Sequence, residues 1–294
     1  MATGIVLVTG SSSGIGRATA LELDRRGFIV YAGVRREGDA EELKAKSSPR
    51  LIPLILDVTK PEQITAAVDH LVSVHGDTGI DALVNVAGIA DFGPIETLSI
   101  DRLRQIFDVN FFGVVALTQA MIPLLRMSHG RMVNVGSVGA HTTIPYGFTI
   151  CSSKHALESL TSGLRVELAP WGIDVIAVDP SSIATQAASQ MVEQVQALID
   201  TTFSDEQRQH YETNLLSMAS SMRENEMAGM PPEGVAAVIA RALTASRPKS
   251  RYPVGPHART LVRLSGLLPD RLFDRLKLRV VGIRMQAMPN HPGT

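Results

Sequence analysis

The sequence has almost no cysteine, no excess of either charge and no long uninterrupted apolar run, and each shortage excludes a class of protein. Its single cysteine, Cys151, allows no intrachain disulfide and suits a reducing compartment. The neighbours of Cys151 favour a packing role on a helix face over a reactive thiol. Lys and Arg number 28 against 29 Asp and Glu, and the formal net charge of −1 gives no general basis for binding nucleic acid. The most apolar stretch, Val109 to Leu125, is interrupted by Asn110, Gln119 and Pro123 and reads as a buried helix, not a membrane span. The opening run Gly4–Thr9 is too short for a secretory signal, so a cytoplasmic location is expected. No internal repeat or low-complexity linker is visible, which predicts one domain.

What is present is a soluble globular profile: 294 residues, 45% hydrophobic and 19% charged, enough to bury a sizeable core. Short, near-continuously apolar runs at Ile5–Thr9, Phe28–Gly33, Leu51–Leu56, Ala82–Val86, Arg131–Val135 and Asp174–Val178 read as parallel strands covered on both faces. Helix-length segments at Ile15–Arg26, Pro61–His75, Ile100–Leu125 and Ser152–Ala169 lie between them. This alternation predicts an α/β fold, a doubly wound parallel sheet with helices on both faces. Thr59-Lys60-Pro61 and Ser99-Ile100-Asp101 mark two of the helix starts.

Between the first strand and the first helix lies Thr9-Gly10-Ser11-Ser12-Ser13-Gly14-Ile15-Gly16. Glycines at such a turn let the backbone approach a pyrophosphate closely, with helix N–H groups aimed at it. An ordinary tight turn is the bland alternative, but the position directly after an N-terminal strand favours binding. The Gly-x-x-x-Gly-x-Gly spacing resembles the short-chain dehydrogenase/reductase family, and further matches follow in order as far as about residue 255. Asp57-Val58 resembles the family's adenine contact. Asn85-Val86-Ala87-Gly88 resembles Asn-Asn-Ala-Gly, with Val86 departing from the second Asn. Pro180-Ser181-Ser182-Ile183-Ala184-Thr185 resembles the Pro-Gly-x-x-x-Thr nicotinamide loop, with Ser181 in place of Gly. The resemblance implies a Rossmann-type domain over 1–255 that binds a nicotinamide dinucleotide. Gly10, Ser12, Ser13, Gly14, Ile15, Gly16, Asp57, Val58, Asn85, Ala87, Gly88, Lys154, Pro180, Ile183 and Thr185 would be its contacts.

The end of the second strand bears on the choice of cofactor. An acidic residue there would bond the ribose hydroxyls of NAD; this chain has Val34 followed by Arg35 and Arg36. Two guanidiniums without a carboxylate favour NADP(H) over NAD(H), since arginine can grip the 2′-phosphate bidentately. The competing reading is that one or both arginines are ordinary solvated residues.

By the same resemblance Ser137 orients a carbonyl oxygen, Lys154 holds ribose hydroxyls, and Asn110 supports a water relay. The family's proton donor is the Tyr of Tyr-x-x-x-Lys, and at that position this chain has Ile150. Isoleucine has no proton to give, and a positioned general acid is worth about 10²–10⁴ in rate. Three explanations stay open. Tyr146 or His141 supplies the proton, although each reads more readily as a pocket-wall residue. The substrate needs no acid, as for an iminium ion or a cyclisation. Or the cofactor is bound without turnover.

Residues 184–229 read as Met-, Ala- and Gln-rich helices, which in this family cover the substrate. Arg251-Tyr252-Pro253-Val254-Gly255 and the segment after it resemble the steroid- and retinol-dehydrogenase-like branch, which implies a lipophilic small-molecule substrate of medium to large size. A C-terminal extension over 256–294 carries Arg259, Arg263, Arg271, Arg275, Lys277, Arg279 and Arg284 against two Asp. A helix packed on the domain with a solvated basic face is favoured there over membrane-surface contact. A homodimer or homotetramer is expected from the resemblance, and no metal site is expected.

Overall fold

A computed structural model describes residues 4–283. In chain order the elements are β1 (Ile5–Val8), α1 (Gly14–Arg25), β2 (Ile29–Val34), α2 (Glu37–Lys44), β3 (Leu51–Ile55), α3 (Pro61–His75), β4 (Ala82–Asn85), α4 (Ile100–Phe107), α5 (Gly113–Ser128), β5 (Arg131–Val135) and α6 (Phe148–Glu167). They continue with β6 (Asp174–Pro180), α7 (Gln186–Ser189), α8 (Met191–Thr202), α9 (Asp205–Met227), α10 (Pro232–Thr244), β7 (Arg251–Val254), α11 (Ala258–Leu264) and α12 (Asp270–Val280). The strands form one parallel sheet in the order β3-β2-β1-β4-β5-β6-β7. Strand order reverses between β1 and β4, and that crevice is where open parallel sheets bind ligands.

Alternation along the strands sorts side chains into two cores. Val6 and Val8 of β1 pack toward Leu23 of α1, Leu43 of α2 and Ile239 of α10. Leu7 points to the other face, toward Leu71 of α3, Leu117 and Met121 of α5 and Leu164 of α6. Both faces are therefore covered, which explains why the strands are apolar without a polar alternation. The helical run Ile100–Ser128 is long and apolar enough by composition to cross a membrane. Here Leu117, Met121 and Leu125 on it are fully buried against the sheet, so it packs as a core helix.

A third cluster joins the helices over 184–229: Met191, Val195 and Ile199 of α8 meet Leu215 and Met218 of α9. Val281, just beyond α12, is buried in the same cluster, and Phe273 of α12 is also buried. Leu272, Leu276 and Val280 form an exposed stripe on α12. Arg284 lies outside the described residues.

The six strands predicted from sequence are present within a residue or two, and Ser99 caps α4 by accepting from the Arg102 N–H. Other details differ. Lys60 caps α3 without a side-chain bond. The sixth helix starts at Phe148, four residues before the predicted Ser152, so position 150 lies in its first turn. Strand β7 and helices α2 and α10 were not among the predicted elements.

Candidate active site

The turn after β1 is built for close approach to a ligand. Gly10 and Gly14 have φ of +67° and +51°, and a Cβ on Gly10 would lie 2.9 Å from the backbone of Ala87. A Cβ on Gly16 would collide with the Gly10 carbonyl. Ser13 caps α1 without a side-chain hydrogen bond, and no acidic residue stands in the first turn. The leading N–H groups of α1 therefore keep their positive end for an anion, which fits a dinucleotide pyrophosphate.

A cleft opens over this turn. Of the predicted contacts it takes in Gly10, Ser12, Ser13, Gly14, Ile15, Gly16, Arg35, Asp57, Val58, Ala87, Gly88 and Thr185. Five predicted contacts, Arg36, Asn85, Lys154, Pro180 and Ile183, are not among its walls. Arg36 caps α2 and is exposed, outside the cleft walls. Asn85 is buried and donates to Asn134 Oδ1 at 2.9 Å, a link that Asn134 extends to Thr161. It holds β4 to β5 and α6, and it does not line the cleft. Val86, where the family has a second Asn, uses its backbone: the N–H groups of Val86 and Ala87 both donate to Thr9 Oγ1.

The other end of the site is carried by β5, β6, α6 and the π-helical turn Asp108–Phe112 between α4 and α5. That turn buries Asn110 completely. Its amide donates to the Ile89 carbonyl and to Ser153 Oγ at 2.9 Å, and its Oδ1 accepts from the Ile89 N–H at 2.8 Å. Ser137 follows β5, and its Oγ accepts from the Gly139 N–H at 2.9 Å. Lys154 is buried and donates to the Val135 carbonyl at 2.7 Å. Burial pushes its pKa down to about 8, with the Asp179 charge opposing the shift.

Small residues show how these groups converge. A Cβ on Gly88 would lie 3.3 Å from Asn110 Oδ1 and 3.8 Å from Lys154 Nζ. A Cβ on Gly139 would lie 3.2 Å from Ser137 Oγ and 3.3 Å from Cys151 Sγ, the neighbour of Ile150. Asn110 and Lys154 thus meet at Gly88 on the cleft wall, and Ser137 and the first turn of α6 meet at Gly139. Cys151 is buried, which raises the pKa of its thiol and suits the packing role.

The two candidate substitute donors, Tyr146 and His141, both make contacts of their own. Tyr146 lies in the loop before α6 with φ of +60°, packed edge-to-face on Tyr211 of α9 with ring centroids 6.5 Å apart. Burial raises the pKa of its phenol, which makes it a weaker acid. His141 Nε2 lies 2.8 Å from Arg251 Nη1 and 3.3 Å from Asp179 Oδ2, so this ring nitrogen is engaged with that pair. The loop after β6 shows two features that sequence alone did not reveal. Ser181, where the family has Gly, ties the loop to the chain after β7 by donating to the Pro256 carbonyl at 2.8 Å. Next to Pro180, which ends β6, the loop runs on to Ile183, whose N–H donates to Glu226 Oε2 of α9 at 2.8 Å. Burial raises the Glu226 pKa to about 7, partly offset by that bond. Thr185 ends the loop, its Oγ1 accepting from the Ala188 N–H and its methyl 3.6 Å from a Cβ placed on Gly14.

The comparisons with known proteins agree with this geometry. A family model described as short chain dehydrogenase matches residues 4–196. Retinol dehydrogenase 16 of Mus musculus is 35% identical over 275 residues, covering 92% of this chain and 86% of its own length. An NADPH-dependent 3-dehydrocapnine reductase of Ornithobacterium rhinotracheale is 32% identical over 92% of this chain and 94% of its own. The 17-beta-hydroxysteroid dehydrogenase type 2 of Homo sapiens is 34% identical over 97% of this chain and 77% of its own. Among solved structures, a short-chain dehydrogenase from Streptomyces avermitilis superposes with a TM-score of 0.75 at 26% identity, covering 95% of this chain and 96% of that one. The chain is an oxidoreductase of the short-chain dehydrogenase/reductase family, in the branch that holds the retinol and steroid dehydrogenases.

Proposed function

We propose that the chain is an NADP(H)-dependent oxidoreductase for a lipophilic carbonyl, alcohol or imine, working without a tyrosine acid. The observation that carries this reading is the convergence of Asn110 and Lys154 on Gly88, beside a cleft walled by the glycine turn, with Ile150 in the first turn of the helix that bears Lys154. A bound nicotinamide would supply or accept the hydride. Lys154 would hold ribose hydroxyls and present a positive charge, Ser137 would polarise the substrate oxygen, and Asn110 would fix the backbone at Ile89. Arg35 on the cleft wall supports the choice of NADP(H), since no carboxylate stands beside it at the end of β2. The reading also draws on the reductase relative whose name states NADPH dependence.

Support for a lipophilic substrate comes from the relatives named as retinol and 17-beta-hydroxysteroid dehydrogenases. An imine suits Ile150 best, because an iminium ion accepts hydride without a further proton. A cytoplasmic homodimer or homotetramer completes the reading. The test is a fluorescence titration with NADPH, followed by absorbance at the reduced-nicotinamide band with a lipophilic ketone and a cyclic imine. Saturable NADPH binding with turnover of either substrate supports the proposal. Absence of NADPH binding overturns it. Binding without turnover of either favours non-redox chemistry or a silent cofactor-binding protein.

A further inference from the structure

Arg251, the first residue of β7, holds three side chains from three other segments at once. Its Nη1 lies 2.6 Å from Asp179 Oδ2, 2.8 Å from His141 Nε2 and 2.9 Å from Glu158 Oε2, and its Nη2 completes a bidentate pair with Glu158 Oε1. Each partner borders a segment of the candidate site. His141 ends the short turn that Ser137 begins. Glu158 lies one helical turn after Lys154 on α6, as Ile150 lies one turn before it. Asp179 is the residue before Pro180, where the loop toward Thr185 starts.

Asp179 is fully buried, and a Cβ on Gly136, the neighbour of Ser137, would collide with its Oδ1. Among the described residues that oxygen has no hydrogen-bond partner, while Oδ2 is paired with Arg251 and the Asp179 charge also acts on Lys154. The groups around Lys154 are Asp179 from β6, Asn110 from the π-helical turn and the Val135 carbonyl from β5. Beyond Asp179 stand Arg251, His141 and Glu158. The ligand atoms of His141, Glu158 and Asp179 lie within 4.8 Å of one another, a spacing that would hold a metal ion. The guanidinium bonded to all three takes that place with a fixed, forked cation.

We propose that Arg251 is a positioning residue for this site, setting the Lys154 charge through Asp179 and fixing the segments of Ser137, Lys154 and Thr185 through its three partners. The proposal rests on the reading that these residues serve a nicotinamide cofactor. Its test follows two quantities in Arg251→Met and Arg251→Lys. One is the titration of Lys154 by NMR in protein labelled at lysine Cε, where Lys154→Arg assigns its signal among the six lysines. The other is the NADPH dissociation constant.

In Arg251→Met, Asp179 loses its stronger cation and Lys154 loses a nearby positive charge. The Lys154 midpoint is expected to rise by about one pH unit and NADPH to bind about tenfold more weakly. In Arg251→Lys the charge returns but not the fork: the midpoint is expected to revert while the weaker NADPH binding persists. If Arg251→Met fails to fold, Arg251→Lys decides alone, and wild-type NADPH affinity in it overturns the proposal. A folded Arg251→Met with both quantities unchanged overturns it too. If wild type itself fails to bind NADPH, the cofactor reading falls, and the Lys154 midpoint still tests Arg251.

Discussion

Ile150 and Lys154 stand one helical turn apart on α6, and the Lys154 ammonium is held to the Val135 carbonyl at 2.7 Å. In a Tyr-x-x-x-Lys pair the lysine would serve the phenol above it. Here the position above it is aliphatic, and the buried lysine is balanced by Asp179 on β6. The family scaffold is kept around a helix that carries isoleucine at this position.

Burial of Lys154 has a measurable cost. Its folded pKa of about 8 lies below the unfolded value of 10.5, so between those values the unfolded chain binds more protons. Stability therefore rises with pH from about 8 to 10.5, and below pH 8 the full penalty, on the order of 3 kcal/mol, is present. Thermal unfolding of Lys154→Met is expected to lack this rise, and the difference from wild type isolates it. Equal pH slopes in the two proteins would contradict a lowered lysine pKa.

Glu226 acts with the opposite sign. Its folded pKa of about 7 lies above the ordinary carboxyl value of 4.5, so the native state binds more protons between them. Its contribution is fully present below pH 4.5 and is lost as pH rises through 7. Urea unfolding of Glu226→Gln across pH 5 to 8 is expected to show a flatter loss of stability than wild type, because the amide cannot ionise. The same slope in both would show that this carboxyl titrates normally.

Arg35 stands on the cleft wall and Arg36 does not, so the two arginines should differ in effect. Arg35→Ala is expected to weaken NADPH binding by about 10- to 100-fold, the worth of a charge-assisted contact, and to leave NADH nearly unchanged. Arg36→Ala should change neither. Isothermal titration with both dinucleotides checks this, and equal losses for NADPH and NADH in Arg35→Ala would remove the basis for NADP(H) preference.

The strands were legible because both faces of the sheet are covered, which leaves apolar runs in the sequence. Strand β7 is not legible in the sequence because Arg251–Val254 is short, begins with a charge and holds Pro253, whereas Pro53 of β3 sits within a longer apolar run; both strands form edges of the sheet, where a missing N–H is tolerated. The start of α6 was misplaced because its cap is Gly147, which offers no side-chain signal. Within the site, Gly10, Asn110, Ser137 and Lys154 could be found by motif and spacing. The cluster around Arg251 could not, since its partners lie 72 to 110 residues away and meet only once β6 and β7 pair.

The replacement Ile150→Tyr tests the central claim most directly. If the hydride site is complete except for its acid, reduction of a lipophilic ketone with NADPH should rise by about 10²–10⁴, with NADPH affinity unchanged. Ketone reduction that stays flat or falls in a variant that still binds NADPH would contradict it, and would make Ile150 part of a remodelled pocket.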